Sequence, residues 1–215
     1  MLSKTILTIA AALAALTQIA QASQAPIPGY GVVDIQFDLP IYPGNATSET
    51  VPIIGTIEHA VAHMETLYPG WNESLFKLPS QRHFVYDDSD RNIIPESFNC
   101  WGRWKGCSWS AIARGIDYLW QLPIYPMPTN GPGPGNCGRV SCSYDSAIWW
   151  CNDNDFSKTV RWINISAGAE YMNGAFGSFW GNKGKCVDSD DGAWQSAGQA
   201  FYPGNFNVIL NADKC

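Results

Sequence analysis

The sequence has no cysteine before position 100, no run of basic residues and only three histidines, His59, His63 and His83. Because polyanions are bound chiefly through clustered Lys and Arg, a net charge of −6 without a basic cluster argues against nucleic acid and anionic membrane surfaces as partners. The sequence also lacks three motifs: the Gly-x-Ser-x-Gly motif of a serine nucleophile, a phosphate-binding loop and the paired cysteines of a zinc site. These absences argue against a serine hydrolase with that motif, a nucleotide-binding enzyme with a phosphate-binding loop and a zinc enzyme. We expect no cofactor.

After the first 22 residues the chain has no apolar run long enough to span a membrane. Residues 1–22 combine Lys4, an apolar stretch over 6–15 and the small-x-small sequence of residues 20–22. A membrane anchor is the alternative, but its apolar core would need roughly 20 residues. The pattern predicts a secretory signal peptide, a mature chain that begins near Ser23 and a secreted, extracellular protein without membrane insertion.

All seven cysteines lie at or after position 100. In an oxidising compartment they predict disulfides whose pairing the sequence alone cannot choose. The odd count leaves a free thiol, an intermolecular bridge or one half of a lost fourth pair. The cysteines are Cys100, Cys107, Cys137, Cys142, Cys151, Cys186 and Cys215.

The region from residue 137 to 153 predicts a stapled β-hairpin. Residues 139–143 and 147–151 are rich in strand-forming types, residues 144–146 have turn character, and the preceding Gly-Pro run at 131–135 must be a loop. Because Trp149 and Trp150 are adjacent on a strand, we expect one ring to point away from the core. With Trp101 and Trp104 it could form a platform on which sugar rings stack; the alternative is that these rings alternate between core and surface.

Apolar periodicity predicts three helices: residues 57–68 capped by Thr56, residues 109–120 capped by Ser108, and a segment that starts at Asn154 or Asp155 and continues to 167. Strands are expected at 32–39, 83–86 and 206–210. The order predicts an α+β fold, an antiparallel sheet with helices packed on one face and disulfides stapling it. We divide the chain into the signal peptide at 1–22, an N-terminal extension with one helix at 23–99, and a cysteine-rich α+β core at 100–215.

Other candidate sites are weaker. His59 and His63 could share a metal on one helix face, but without a Glu between them we interpret them as surface or core-edge residues and predict no metal site. Two acidic clusters in apparent loops could bind calcium or supply a hydrolase's carboxylates, although solvated loops are the favoured interpretation. The clusters are Asp87, Asp88 and Asp90, and Asp188, Asp190 and Asp191. The sites that match the N-glycosylation pattern are Asn45, Asn72 and Asn164.

Five segments carry a resemblance to a group of small secreted fungal proteins: residues 110–119, 130–137, 138–142, 147–153 and 205–209. The match covers about residues 100–215. That group resembles, more loosely, the necrosis-inducing extracellular effectors of plant-associated fungi and the killer-toxin-like folds. The resemblance implies a secreted protein with a disulfide-stapled α+β core that acts on a host or a competitor.

Together these observations predict an effector-like or toxin-like protein that acts outside the cell without catalysis. We expect a monomer whose partner is a host or competitor protein or a cell-wall glycan. Two alternatives stay open: a module that binds cell-wall carbohydrate through Trp149, Trp150, Trp101 and Trp104, and a secreted hydrolase that uses the loop carboxylates with a histidine.

Overall fold

The fold is centred on a six-stranded sheet with helices across one face, and a computed structural model describes residues 24–83, 94–174, 184–190 and 192–215. The helices are α1 (Ile57–Leu67), α2 (Trp71–Phe76), α3 (Trp109–Gln121) and α4 (Trp162–Asn173), with a 3-10 turn at Gln81–His83. The strands are β1 (Gly31–Val33), β2 (Gln36–Pro40), β3 (Thr50–Ile54), β4 (Ser97–Cys100), β5 (Cys107–Ser108), β6 (Thr129–Asn130), β7 (Asn136–Ser143), β8 (Ser146–Asn152), β9 (Lys158–Thr159), β10 (Val187–Asp190), β11 (Ala193–Ser196), β12 (Gly198–Tyr202) and β13 (Phe206–Ala212).

The strands of the main sheet run in the order β1-β7-β8-β13-β12-β4. Only the β1–β7 pair is parallel among these neighbours, and the other four pairs are antiparallel. Three small sheets, β10-β11-β5, β2-β3 and β6-β9, lie outside it. The predicted α+β class, with an antiparallel sheet stapled by disulfides, is therefore confirmed.

The predicted hairpin forms between β7 and β8. Its turn has two residues, Tyr144 and Asp145, with φ of 48° and 52°, and Ser146 already belongs to β8. Positive φ at both turn positions gives the twist that a two-residue antiparallel hairpin needs. Cys137 lies directly opposite Cys151 in the register, and the two form a disulfide with a Cα–Cα distance of 4.0 Å.

Two more disulfides connect distant parts of the chain. Cys142 of β7 forms a disulfide with Cys215, which fixes the C-terminal residue to the hairpin, a pairing that the sequence did not indicate. Cys100 at the end of β4 binds Cys186, which precedes β10. Cys107 is the free and buried cysteine. The odd count is therefore resolved as one free thiol within the chain.

Both faces of the sheet are covered by apolar side chains. Ile148 and Trp150 of β8 belong to the main cluster that includes buried residues of α1, α3 and α4. Trp149 and Cys151 face the other way, into a smaller cluster that includes Ile27 from the N-terminal arm. The second layer, which the sequence analysis did not predict, buries the face left open by the helices.

Two of the predicted helices begin where their caps indicate. The Thr56 side chain accepts a hydrogen bond from the His59 backbone at 3.5 Å, and the Ser108 side chain accepts one from the Ala111 backbone at 3.4 Å. Each cap satisfies an N–H group that has no partner within the helix. The closing strand predicted at 206–210 is also confirmed, as β13.

The predicted start of the third helix is wrong. Asn154 is buried and donates hydrogen bonds to the carbonyl oxygens of Gly204 and Asn205, while Lys158 and Thr159 pair with β6 as strand β9. Helix α4 therefore begins only at Trp162. The capping signal failed because the Asn154 side chain bonds across to the β12–β13 turn.

The segment before Cys100 packs into the same apolar cluster as the rest of the chain. The single strand expected at 32–39 is two strands: β1 joins the main sheet, and β2 pairs with β3 and places Phe37 in a stack with Trp162, with ring centroids 4.7 Å apart. Helix α2 was not predicted, since it has only six residues and begins after Gly70 in the left-handed region. In the strand expected at 83–86, His83 ends the 3-10 turn and the other residues lie outside the described ones.

The hairpin turn yields a stability prediction. Since Asp145 holds a positive φ that a Cβ atom disfavours, Asp145→Gly should be more stable than Asp145→Ala by about 1 kcal/mol. Urea unfolding of the two variants measures this difference. Equal stability of the glycine and alanine variants would show that the turn is not under this constraint.

Candidate functional site

The four tryptophans proposed as a sugar-binding platform do not form an exposed surface. Trp149 and Trp150 are both 0% exposed, so the prediction that one of these rings points to solvent is wrong. The rings do lie on opposite faces of β8, but each face has its own apolar layer. Trp104 is buried beside Trp149, and Trp101 packs half-buried against the same cluster.

The described part of the chain contains no group of three or more His, Cys, Asp and Glu side chains placed to hold a metal ion. His59 and His63 are exposed on α1 with ring centroids 6.3 Å apart, and His59 Nδ1 lies 3.2 Å from the carbonyl oxygen of Ile54. Asp188 is exposed on β10, where Asp190 also lies. Asp87, Asp88, Asp90 and Asp191 lie outside the described residues.

The three glycosylation candidates differ in their exposure. Asn45 is exposed, and its Oδ1 accepts hydrogen bonds from the backbone N–H and the hydroxyl of Thr47 at 3.0 and 2.9 Å. Asn72 is half-buried on α2. Asn164 is only 6% exposed, because α4 is enclosed by its neighbours, and its Oδ1 accepts from the backbone N–H of Arg161 at 3.2 Å. An N-glycan needs a surface position, so the prediction at Asn164 is wrong.

The free Cys107 thiol is part of a buried hydrogen-bond network. It donates to the carbonyl oxygen of Ser196 at 2.9 Å, and the Ser196 hydroxyl donates to Asn173 Oδ1 at 2.5 Å. Burial raises the pKa of the Cys107 thiol to about 12. Because the thiolate is the nucleophilic form, this cysteine connects β5, β11 and α4 structurally and does not act as a nucleophile at neutral pH.

A second buried network contains Glu170, which is 1% exposed and is the only ionisable residue in the buried polar set of the described residues. Its Oε2 accepts from Trp120 Nε1 at 2.6 Å and from Arg82 Nε at 3.2 Å. Arg82 Nη2 also donates to Asp117 Oδ1 at 3.1 Å. One guanidinium therefore joins carboxylates of α3 and α4 to the 3-10 turn.

The environments of the two carboxyl groups differ. Desolvation raises the pKa of Asp117, and the nearby Arg82 guanidinium partly offsets that rise. Glu170 Oε1 has no hydrogen-bond partner among the described residues. Since a carboxylate at 1% exposure cannot meet a substrate in this conformation, we interpret the network as a structural tie.

Sequence reasoning did not single out Glu170, Arg82 or Asp117. One signal was present: Glu170 is the only charged residue in the otherwise apolar and neutral sequence of α4. A lone charge on an enclosed helix requires a buried partner. The partner itself, Arg82, lies 88 positions earlier and carries no local signal.

A cleft of about 350 Å³ lies where strand β9, the start of α4 and the β12–β13 turn meet. Lys158 and Arg161 line it with Tyr125, Met127 and Phe206, and among the described residues neither an Asp nor a Glu lines it. Its volume falls near the lower end of the range typical of small-molecule sites. Of the arrangements described above, this cleft has the clearest capacity to hold a ligand.

The chain matches no protein-family model, no curated protein and no solved structure. In the described residues, none of the helices combines the length and apolar character needed to cross a bilayer.

Removal of the Glu170 charge tests whether the Arg82–Glu170 ion pair stabilises the fold. Glu170→Gln should lower the free energy of unfolding by about 3 kcal/mol, because it removes the buried partner of the Arg82–Glu170 ion pair and leaves the more exposed Asp117 as the remaining charged partner of Arg82. Asp117→Asn is the matched control, and it should cost about 1 kcal/mol or less because that side chain is 47% exposed. If urea unfolding showed that both variants lose the same free energy of unfolding, the assignment of Glu170 as the more stabilising, buried partner of Arg82 would be contradicted.

The Cys107 network predicts the accessibility of one thiol. A thiol-specific reagent at pH 8 should leave the native protein unmodified and should label a single cysteine after denaturation, since the native thiol is 3% exposed and protonated. Mass spectrometry of the labelled peptide identifies the residue. Rapid labelling of the native protein would show that Cys107 is accessible.

Proposed function

We propose that the protein is a secreted, effector-like or toxin-like protein that acts outside the cell through binding rather than catalysis. The observation that carries the proposal is the set of three disulfides. They close a hairpin, hold the C-terminus and tie an edge strand to the segment that precedes β10. Such disulfides form and persist in oxidising environments, which fits the signal peptide expected at residues 1–22.

The positions of the reactive groups support a binding role. Cys107 is buried with a raised pKa, and Glu170 bonds to Arg82 and Trp120. His59 and His63 are exposed and belong to no metal-binding group among the described residues. The alternative that the experiment must distinguish is hydrolysis catalysed by carboxylates of the two acidic clusters, at positions 87–90 and 188–191, together with a histidine.

The resemblance to small secreted fungal proteins gives the proposed setting. The motif over residues 137–153 coincides with β7, its turn and β8, and every residue of β8 is buried. In this proposal the partner is a host or competitor protein or a wall glycan, and Asn45 and Asn72 carry glycans. The carbohydrate-binding alternative loses the surface that motivated it, because Trp149 and Trp150 are buried.

The proposal is tested on protein secreted by a eukaryotic host, with the disulfides formed. Applied to plant tissue and to competing fungal cells, the protein should cause dose-dependent tissue necrosis or cell death, which is the response measured. It should turn over no polysaccharide, peptide or nucleic acid substrate. Cys142→Ala with Cys215→Ala should abolish the response, because loss of a bridge that closes so long a loop costs about 4 kcal/mol of stability.

Cys107→Ala is the matched control, since it removes a cysteine without breaking a disulfide, and it should keep the response. Turnover of any of those substrates at an enzymatic rate would contradict the proposal. So would the absence of a response in every tissue and cell tested.

A further inference from the structure

The cleft between β9, α4 and the β12–β13 turn carries a charge opposite to that of the chain. The protein has 19 Asp and Glu residues against 13 Lys and Arg residues, yet Lys158 and Arg161 line the cleft, and in the part of the chain that the structure describes no carboxylate does. A concave surface lined by one sign of charge concentrates the field and attracts ligands of the other sign. The geometry points to a binding site for a small organic anion, a carboxylate carried on an aromatic or aliphatic body.

The start of α4 adds to the positive potential. Arg161 is the N-cap of this 12-residue helix, and the cleft is lined by Arg161 and by Asn164 of the first turn. The unpaired N–H groups of a helix start carry a partial positive charge and favour an anion. The positive end of the α4 dipole and the Arg161 side chain therefore lie at the same wall of the cleft, while the backbone N–H groups of Arg161 and Asn164 are bonded within the helix start.

The lining is mixed, and its apolar side chains can contact the body of the ligand. Phe206 is 5% exposed, and its ring stacks on Tyr202 with centroids 4.8 Å apart. Lys158 Nζ lies 5.8 Å from the centre of the Phe206 ring, which places the cation beside an aromatic surface. Met127 and Tyr125 complete this wall. A bare inorganic ion would leave these apolar groups unused, whereas an amphipathic anion contacts both kinds of wall.

The cationic residues are held by the backbone around them. Strand β9 pairs with β6, so that Asn130 lies opposite Lys158, and the hydroxyls of Thr129 and Thr159 hydrogen-bond at 2.8 Å. Asn164 Oδ1 accepts from the backbone N–H of Arg161 at 3.2 Å. A site whose backbone is already ordered loses less conformational entropy when a ligand binds.

The size of the cleft limits the ligand. A volume of about 350 Å³ suits a small molecule and is too small for a folded partner. The acidic chain as a whole repels long polyanions. The inference does not rest on the proposed function, because a small-molecule site is compatible with either a binding protein or an enzyme.

The test titrates the full oxidised protein with 2-naphthoate by calorimetry and uses the neutral 2-naphthamide as the matched ligand. Naphthoate should bind about tenfold more tightly than the amide, since the charged head gains charge-assisted hydrogen bonds. Its affinity should fall as salt increases. Amide NMR shifts should centre on Thr159, Val160 and Asn164.

Three variants locate the site. Lys158→Met keeps the aliphatic stem and should weaken naphthoate binding about tenfold, while Lys158→Arg should retain it. Lys214→Met removes the same charge from an exposed residue near the C-terminus and should change the affinity less than twofold. Near-ultraviolet circular dichroism checks that each variant is folded.

Equal affinity for naphthoate and naphthamide would overturn the inference. So would an unchanged affinity in Lys158→Met, or no binding of naphthoate at millimolar concentration. Failure of the cell-response experiment leaves these results unaffected, and absence of naphthoate binding leaves the proposed extracellular action untouched. The two proposals can therefore fail separately.

Discussion

Strand β8 is buried along its whole length, and the rest of the architecture follows from covering both of its faces. All seven of its residues are buried, including two adjacent tryptophans that point in opposite directions. The helices cover the Trp150 face, and the N-terminal arm together with Trp104 covers the Trp149 face. Large aromatic rings contribute much of the apolar area that a fold of this size can bury.

The disulfides reinforce this central strand and its partner. Cys151 of β8 is bonded to Cys137 of β7, and Cys142, also of β7, holds the C-terminal residue. The third bridge, from Cys100 to Cys186, connects the far edge strand of the sheet to the chain that precedes β10. The disulfides thus lie at the centre and at one edge of the same sheet. They stabilise the fold mainly because they reduce the conformational entropy of the unfolded chain.

Several charged residues form ion pairs and hydrogen bonds that connect secondary-structure elements, and two cationic residues line the cleft beside α4. Arg82 joins Asp117 and Glu170, and Arg139 pairs with Asp213 at 3.0 Å. Glu58 accepts hydrogen bonds from the Ser141 hydroxyl at 2.5 Å and from the Cys142 backbone at 2.9 Å, and so connects α1 to β7. Lys158 and Arg161 line a cleft whose described lining residues include no carboxylate. This separation makes the cleft a better candidate for ligand binding than the carboxylates.

The sequence by itself determined the features that depend on neighbouring residues. Helices α1 and α3 have local caps and clear apolar stripes, the hairpin has its own turn, and each is found where the sequence places it. The α+β class follows from these local elements. The cysteines, all at or after position 100, indicated disulfides without indicating their partners.

Only the tertiary structure decided which surfaces are covered and which charged groups meet. The exposure of Trp149 depends on an arm that includes Ile27, more than 100 residues away in sequence, and no periodicity encodes that contact. The start of α4 was mispredicted because Asn154 bonds to residues about 50 positions later. Arg82 and Glu170, and likewise Tyr125 and Arg161, lie together because the chain folds back on itself. Long-range packing fixes these pairs, whereas sequence patterns report only the preferences of the local backbone.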